Sequence, residues 1–365
     1  MKKMTECKWP KISIIILNWN GWKDTIECLE SLYQITYPNY EVIVVDNGSI
    51  DESIEKIRQY CEGKITVESK FFKYDGSNKP IKIIEYSREE SVNGRKKFEL
   101  KNIESKNKLI LIKNEKNYGF AEGNNIGIRY SLKFLKTDYI LLLNNDTIVD
   151  KNFLNKIVEV GERDKSNGIV GPKIYFYDYK GKTNVINFAG ADLIIWKGNE
   201  IRYGFKEEDR GQFNNEMEVD KIEGSCMLIK TKLLYEIGLL DTKYFAYWEE
   251  TDLCFRASKK GYKIIYSPSA RIWHKIAASS GGISNPLQIY YITRNKFIFL
   301  KKHATTYEII LFSIFFFFYN LWFNIANYLF YHKDTKKIIH FIKGVKDGIK
   351  ICLDNKVNEK GVPPL

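Results

Sequence analysis

The chain has 365 residues, 44% of them hydrophobic and 28% charged, enough apolar material for a full core, which excludes a disordered protein. Its formal net charge of +12 would suit nucleic acid, an anionic membrane or a phosphorylated ligand, but the lysines are mixed with acids and no nucleic-acid-binding signature accompanies them, so nucleic acid is set aside. Six cysteines (Cys7, Cys28, Cys61, Cys226, Cys254 and Cys352) form no Cys-x-x-Cys pair, which argues against a zinc site or a disulfide framework and for a reducing setting.

Met1 to Pro10 is polar and basic, with no apolar run suited to a signal peptide, so the catalytic part is expected in the cytoplasm. Lys11 to Leu17 reads as a buried strand ending in Asn18-Trp19-Asn20-Gly21, and Asp24 to Leu32 as a helix stopped by Tyr37-Pro38. A second strand, Glu41 to Val45, runs into Asp46-Asn47-Gly48-Ser49, and Ser53 to Tyr60 supplies another helix. Strand, helix, strand with polar clusters at the carboxyl ends is the start of a doubly wound sheet. Residues 62–107 break the rhythm and read as a surface insertion with weak strand-like pieces such as Ile81 to Tyr86.

Leu109 to Ile112 is the third strand, followed by a polar, glycine-bearing stretch from Asn114 to Asn125 and a helix from Ile126 to Leu135. The fourth strand, Tyr139 to Leu143, is short, unbroken and apolar, as a strand covered on both faces should be. It delivers Asn144, Asn145 and Asp146 to a carboxyl end, where open α/β sheets bind ligands, and oxygen donors of this kind suit Mg²⁺ or Mn²⁺. Taken alone, the same residues also read as a cap for the helix that begins near Asn152. A helix from Phe153 to Val160, a strand from Gly168 to Ile174, a hairpin strand from Phe188 to Trp196 and an apolar strand ending at Ile229 follow. Thr231 to Ile237 is helical, and Glu249-Glu250-Thr251-Asp252 opens a helix over Asp252 to Lys260, ended by Gly261. Short strand pieces at Ile264 to Tyr266 and Ala270 to His274 come next. Residues 309–331 are largely apolar and flanked by lysines. The length is sufficient for a membrane span, but Asn320, Asn324 and Asn327 also allow docking at the membrane surface, packing on the core or a dimer contact.

The order of five motifs resembles the inverting family 2 glycosyltransferases of the GT-A fold, in their rhamnosyltransferase-like branch. The motifs are Ile16 to Gly21, Val45 to Asp51, Asn117 to Asn125, Leu143 to Thr147 and Trp248 to Arg256, and the likeness covers about residues 11–300 apart from the insertion. The resemblance implies an α/β, GT-A (nucleotide-diphospho-sugar transferase) fold with a mixed, mainly parallel sheet and flanking helices. It divides the chain into a transferase domain over 1–300, with the insertion at 62–107, and a C-terminal helical, membrane-associating region over 301–365.

By the same resemblance, Asp46 with Asn18, Trp19, Asn20 and Asn47 holds the nucleoside, although Asp46-Asn47-Gly48-Ser49 also reads as a plain turn. Asn117, Gly119, Gly123 and Asn124 belong to a loop over the donor. Asn144-Asn145-Asp146 replaces the family's Asp-x-Asp, so one formal charge is lost, Asp146 carries the bond to Mg²⁺ or Mn²⁺, and His274 is a second ligand. Glu250 sits where the family has its general base, Glu249 competes for the role, and Asp252 and Arg256 orient the helix start or bind the acceptor or pyrophosphate side. The partners implied are a dTDP- or UDP-linked sugar, a glycan or lipid-linked acceptor and the cytoplasmic face of the cell membrane. A nucleotidyltransferase and a non-catalytic nucleotide-sugar or glycan-binding protein are the competing readings.

Overall fold

The computed structural model describes residues 9–93, 108–275 and 285–353. In chain order the elements are β1 (Ile12–Asn18), α1 (Trp22–Leu32), β2 (Tyr40–Asp46), α2 (Ser53–Cys61), β3 (Lys82–Ser87), α3 (Arg88–Asn93), β4 (Lys108–Lys113) and α4 (Gly119–Tyr130). They continue with β5 (Tyr139–Asn144), β6 (Thr147–Val149), α5 (Phe153–Arg163), β7 (Asn167–Phe176), β8 (Ile186–Phe188), β9 (Ala191–Ile194), β10 (Asn199–Arg202) and β11 (Met217–Glu218). The last are β12 (Cys226–Lys230), α6 (Thr231–Ile237), α7 (Glu249–Lys259), β13 (Lys263–His274), α8 (Pro286–His303), α9 (Thr306–Phe315), α10 (Leu321–Ala326) and α11 (Thr335–Leu353). Wider helical turns at 316–320 and 327–331 join α9 and α10 into one helical run over 306–331.

One sheet of eleven strands organises the molecule, in the order β11-β13-β7-β12-β5-β1-β2-β4-β3, with β6 added beside β13 and β8 beside β7. From β5 to β3 every pair is parallel, which explains the unbroken β-branched and leucine runs: these strands are covered by helices on both faces. β12 enters antiparallel between β5 and β7, and makes the sheet mixed. The carboxyl ends of β1, β2 and β5 therefore lie side by side, with Asn18 opposite Asp46 and Leu17 opposite Asn144. The polar motifs that follow β1, β2 and β5 meet because the parallel register brings their strands' ends together.

Three expectations are corrected. The stretch read as a surface insertion contributes β3, an edge strand of the main sheet whose Ile84 and Tyr86 are buried, while 94–107 lie outside the described residues. Lys82, Glu85 and Ser87 interrupt its apolar pattern because an edge strand meets solvent. The stretch from Gly119 to Asn125 is helix, not loop: α4 begins at Gly119, and its glycines let the helix approach the sheet closely. A Cβ on Gly123 would lie 2.6 Å from a Leu17 methyl. The two strand pieces after Gly261 are one strand, β13, with a register shift against β7 between Ser267 and Arg271.

Candidate active site

At the end of β5 the chain turns sharply, with the Thr147 hydroxyl donating to the Asn144 carbonyl at 2.7 Å, and leaves as β6. β6 pairs antiparallel with β13 so that Thr147 faces His274. That register sets Asp146, one residue earlier, against the imidazole: His274 Nε2 stands 3.0 Å from Asp146 Oδ1. The contact is not aligned as a hydrogen bond, and Asp146 Oδ1 and His274 Nδ1 are both buried without a hydrogen-bond partner among the described residues. Burial alone would raise the Asp146 carboxyl, but His274 beside it brings it below its ordinary value, and Asp146 in turn raises His274 against the effect of burial. Two ligand atoms in neighbouring positions around an octahedral ion, each bonded at about 2.1 Å, lie about 3.0 Å apart, so this pair fits a divalent cation. No group of three or more His, Cys, Asp or Glu side chains that could hold a metal occurs among the described residues, so the remaining positions would fall to the donor and water.

The middle of the motif also serves as a tether. The Asn145 amide nitrogen donates to Thr25 Oγ1 (3.1 Å) and the Gly21 carbonyl (3.4 Å), tying the turn to the start of α1. Asn144 is partly exposed at the cleft and keeps its candidacy. The helix-cap reading of 144–147 gives way as well, since these residues form a turn and β6, and the Asn152 amide is instead accepted by Asp150.

At the β1 and β2 ends, Asn18 donates to Asp46 Oδ1 (2.7 Å) and accepts from Thr25, while the Ser49 amide caps Asp46 Oδ2. Asp46 is therefore a buried, oriented carboxylate with lone pairs to spare. Trp19 is 41% exposed beside it, and the Asn20 side chain accepts from the Ile50 amide. Asn47 is corrected: its amide donates to Asn117 and the Gly119 carbonyl and accepts from Asn114 and the Tyr118 amide, which is its full capacity. Asn117 is spent in the same staple, and its oxygen also caps the Gly119 amide. Gly119, at φ +82°, presses against the Phe245 carbonyl and ring, Gly123 against Leu17, and Asn124 donates to the Phe120 carbonyl. Asn117, Gly119 and Gly123 fasten α4 to its neighbours, Asn124 bonds within the helix, and the segment is no open loop of the expected kind. The Phe245 carbonyl further accepts the Phe120 and Ala121 amides, closing the start of α4.

The acid pair opens α7 after a strained approach. Phe245, Tyr247 and Trp248 have φ of +64°, +68° and +79°, which non-glycine residues rarely adopt. Asn295 of α8 holds this segment: its amide reaches the carbonyls of Tyr244, Ala246 and Tyr247 at 2.7–2.8 Å. Arg294 adds bonds to the Lys243 and Tyr244 carbonyls, and Phe245 stacks on Tyr291. Glu249 is buried, its Oε2 has no hydrogen-bond partner among the described residues, and burial with Glu250 alongside pushes its carboxyl well above the ordinary range. Glu250 instead meets Lys221 (3.1 Å), which also binds Glu200 (2.7 Å). Burial pulls the Lys221 ammonium down, but Glu200 and Glu250 more than offset it and keep Lys221 charged. Arg202 joins Glu200 to Glu223, and Glu223 lies close enough to influence His274, so a line of charges runs from the acid pair to Asp146.

Lys221, Arg202, Glu200 and Glu223 were not singled out in the sequence. The signal available was the charge at Lys221 and Glu223, just before the small residues that lead into β12. Asp252 is corrected from a catalytic candidate to a buried hub. Its carboxylate takes Arg256 (2.7 Å), Lys302 (2.7 Å), His303 (2.7 Å) and the Tyr244 hydroxyl. Burial works against this charge, but His303, Arg256 and Lys302 hold the carboxyl well below its usual range. Arg256 is equally occupied, bonding the Ile237 and Leu239 carbonyls.

The mixed, mainly parallel sheet with flanking helices, carrying a carboxylate–imidazole pair and an acid pair, is that of a GT-A-fold glycosyltransferase. The chain belongs to the family 2 glycosyltransferases: the model described as "Glycosyltransferase like family 2" matches residues 83–287, and that of "Glycosyl transferase family 2" matches 13–78. It is a glycosyltransferase. Among its relatives is a low-salt glycan biosynthesis hexosyltransferase, Agl10, of Haloferax volcanii, 24% identical over 81% of this chain and 77% of that one. Another is a dTDP-rhamnosyl transferase, RfbF, of Shigella flexneri, 24% identical over 58% of this chain and 70% of its own length. The N-acetylglucosaminyl-diphospho-decaprenol L-rhamnosyltransferase of Mycobacterium tuberculosis is 26% identical over 40% of this chain and 49% of that enzyme. In fold, the chain is similar to a mannosyltransferase of Pyrobaculum calidifontis solved with GDP-Man and Mn²⁺, with a TM-score of 0.55 at 14% identity over 94% of this chain and 88% of that one.

Proposed function

We propose that this enzyme transfers a hexose, with inversion, from a nucleotide-diphosphate sugar to a hydroxyl of a lipid-linked or cell-surface glycan precursor. The observation that carries the reading is Glu250: it stands at the start of α7, in contact with Lys221, beside a neighbour, Glu249, whose carboxyl burial pushes well above its ordinary value. Glu250, the member of the pair that meets Lys221, serves as general base. It takes the proton of the acceptor hydroxyl as that oxygen bonds to the anomeric carbon and the bond to the nucleotide diphosphate breaks. Asp46, oriented by Asn18 and Ser49, receives the N–H edge of the base, and the exposed Trp19 offers a ring beside it.

Asp146 and His274 would hold a divalent cation, with Mn²⁺ favoured over Mg²⁺ because one ligand is imidazole. Such a cation, when bound, neutralises charge on the leaving diphosphate. The Mn²⁺ in the Pyrobaculum enzyme agrees with this, and the rhamnosyltransferase relatives favour a dTDP-linked rhamnose over a UDP-linked sugar. We place the enzyme at the cytoplasmic face of the cell membrane, lying on it through the helical run 306–331. That run is long and apolar enough to cross a membrane, and it packs one side on α8 and α11 through Phe312, Phe316 and Tyr328 while its other side stays exposed, which suits a helix docked on a membrane surface.

Glu250→Gln should lower transfer by at least about a hundredfold while donor affinity, measured by calorimetry across a nucleotide-sugar panel, stays near that of the wild type. Retained turnover would refute the assignment. His274→Ala should weaken Mn²⁺ binding about tenfold or more by calorimetry in the presence of nucleotide diphosphate, and unchanged affinity would remove His274 from the ligand set.

A further inference from the structure

Between α8, the helical run 306–331, α11 and the β9–β10 hairpin lies a cavity of about 360 Å³. Its polar lining includes Lys296, Lys197, Asn199 and Asn320, its apolar walls include Phe315 and Phe323, and none of its lining residues is acidic. Lys296 reaches it across Gly198: a Cβ on Gly198 would lie 2.7 Å from the lysine stem, so the missing side chain makes the channel through which the ammonium passes. Desolvation pushes Lys296 down to about 8, and no ion pair to it occurs among the described residues. A partly enclosed cation without a counter-ion is costly, and an anion in the cavity would relieve that cost.

The position of the cavity selects the anion. Its outer wall is the run whose opposite face exposes Phe318, Trp322 and Phe330, where a lipid chain would lie. Its inner wall leads to the acid pair by two short routes: Asn199 precedes Glu200, the partner of Lys221, and Lys296 follows Asn295, which holds the segment before Glu249. We infer that this cavity binds the phosphate through which the acceptor glycan is joined to its lipid, leaving the sugar to extend toward Glu250. The inference rests on the proposed transfer to a lipid-linked acceptor.

The test uses the full chain with phosphatidylcholine vesicles carrying a polyprenyl phosphate, charge-matched vesicles carrying phosphatidylglycerol, and inorganic pyrophosphate in solution. Wild-type protein should prefer the polyprenyl phosphate vesicles by about tenfold, the worth of one charge-assisted contact, Lys296→Gln should lose that preference, and Lys296→Arg should keep most of it. Thermal unfolding of both variants separates loss of contact from loss of fold. An equal loss on both vesicle types would assign the effect to general surface charge and overturn the inference, as would full displacement by pyrophosphate alone. If the wild type shows the preference yet transfers no sugar to any lipid-linked acceptor, the proposed function fails and the cavity site stands. If transfer to such an acceptor proceeds with an unchanged KM in Lys296→Gln, the site fails and the function stands.

Discussion

Two adjacent carboxyls, Glu249 and Glu250, meet different surroundings within one turn of α7. Glu250 has Lys221 at 3.1 Å, whereas Glu249 is enclosed, and burial with Glu250 alongside pushes its carboxyl well above its ordinary value. Raising the folded-state value of Glu249 above its ordinary value near 4.5 means that the folded protein binds a proton that the unfolded chain releases. Stability from this group is complete below that ordinary value and declines as pH rises toward the folded-state value. Glu249→Gln keeps the shape and removes the titration, so the variant should gain stability over the wild type from about pH 5 upward, by up to about 1.4 kcal/mol per pH unit. Denaturant unfolding at several pH values measures the difference; parallel curves would show that Glu249 is not protonated in the fold.

The elements that carry the chemistry are held by elements that do not. Phe245, Tyr247 and Trp248 adopt strained backbone angles, and α8 restrains them through Asn295 and Arg294. Asn295→Ala removes the amide donor to the Tyr244, Ala246 and Tyr247 carbonyls, a loss of about 1–3 kcal/mol, and should reduce kcat about tenfold or more with donor affinity little changed. A lower Tm with normal kcat would make Asn295 a packing residue only. The sequence reveals the parallel half well, because β1, β2, β4 and β5 are buried on both faces and leave continuous apolar runs, and because polar clusters follow them at once. It hides the start of α4, whose Gly119, Gly123 and Asn124 have poor helix propensity; the two glycines are placed there by close packing on Phe245 and Leu17. It also hides which asparagines are tethers: Asn47 and Asn145 look like Asn144 in a motif, and only the three-dimensional partners distinguish them. Lys221 and Asn295 act across long stretches of chain, and no local pattern announces that.

At the scale of the whole molecule, the transferase core carries an aromatic-rich flank. Phe318 is 83% exposed, Trp322 and Phe330 are also exposed, and Lys333, Lys336 and Lys337 follow the run. A contiguous apolar face bordered by cations suits the surface of an anionic bilayer. The proposed docking predicts that Phe318→Ser, Trp322→Ser and Phe330→Ser together abolish flotation with anionic vesicles while donor affinity persists. Undiminished flotation would refute it, and a wild-type dimer that the same changes dissociate would identify the face as a contact between copies.

The hub at Asp252 bears on where the transferase can be cut. A break after residue 300 follows the limit of the motif resemblance, yet it removes Lys302 and His303, two of the cationic or imidazole partners of a fully enclosed carboxylate. Asp252 would then keep Arg256 and Tyr244 alone, in the helix that begins with the acid pair. A gene fragment that ends before His303 therefore encodes a damaged enzyme, and recombination between relatives would have to exchange α7 and α8 as a matched set.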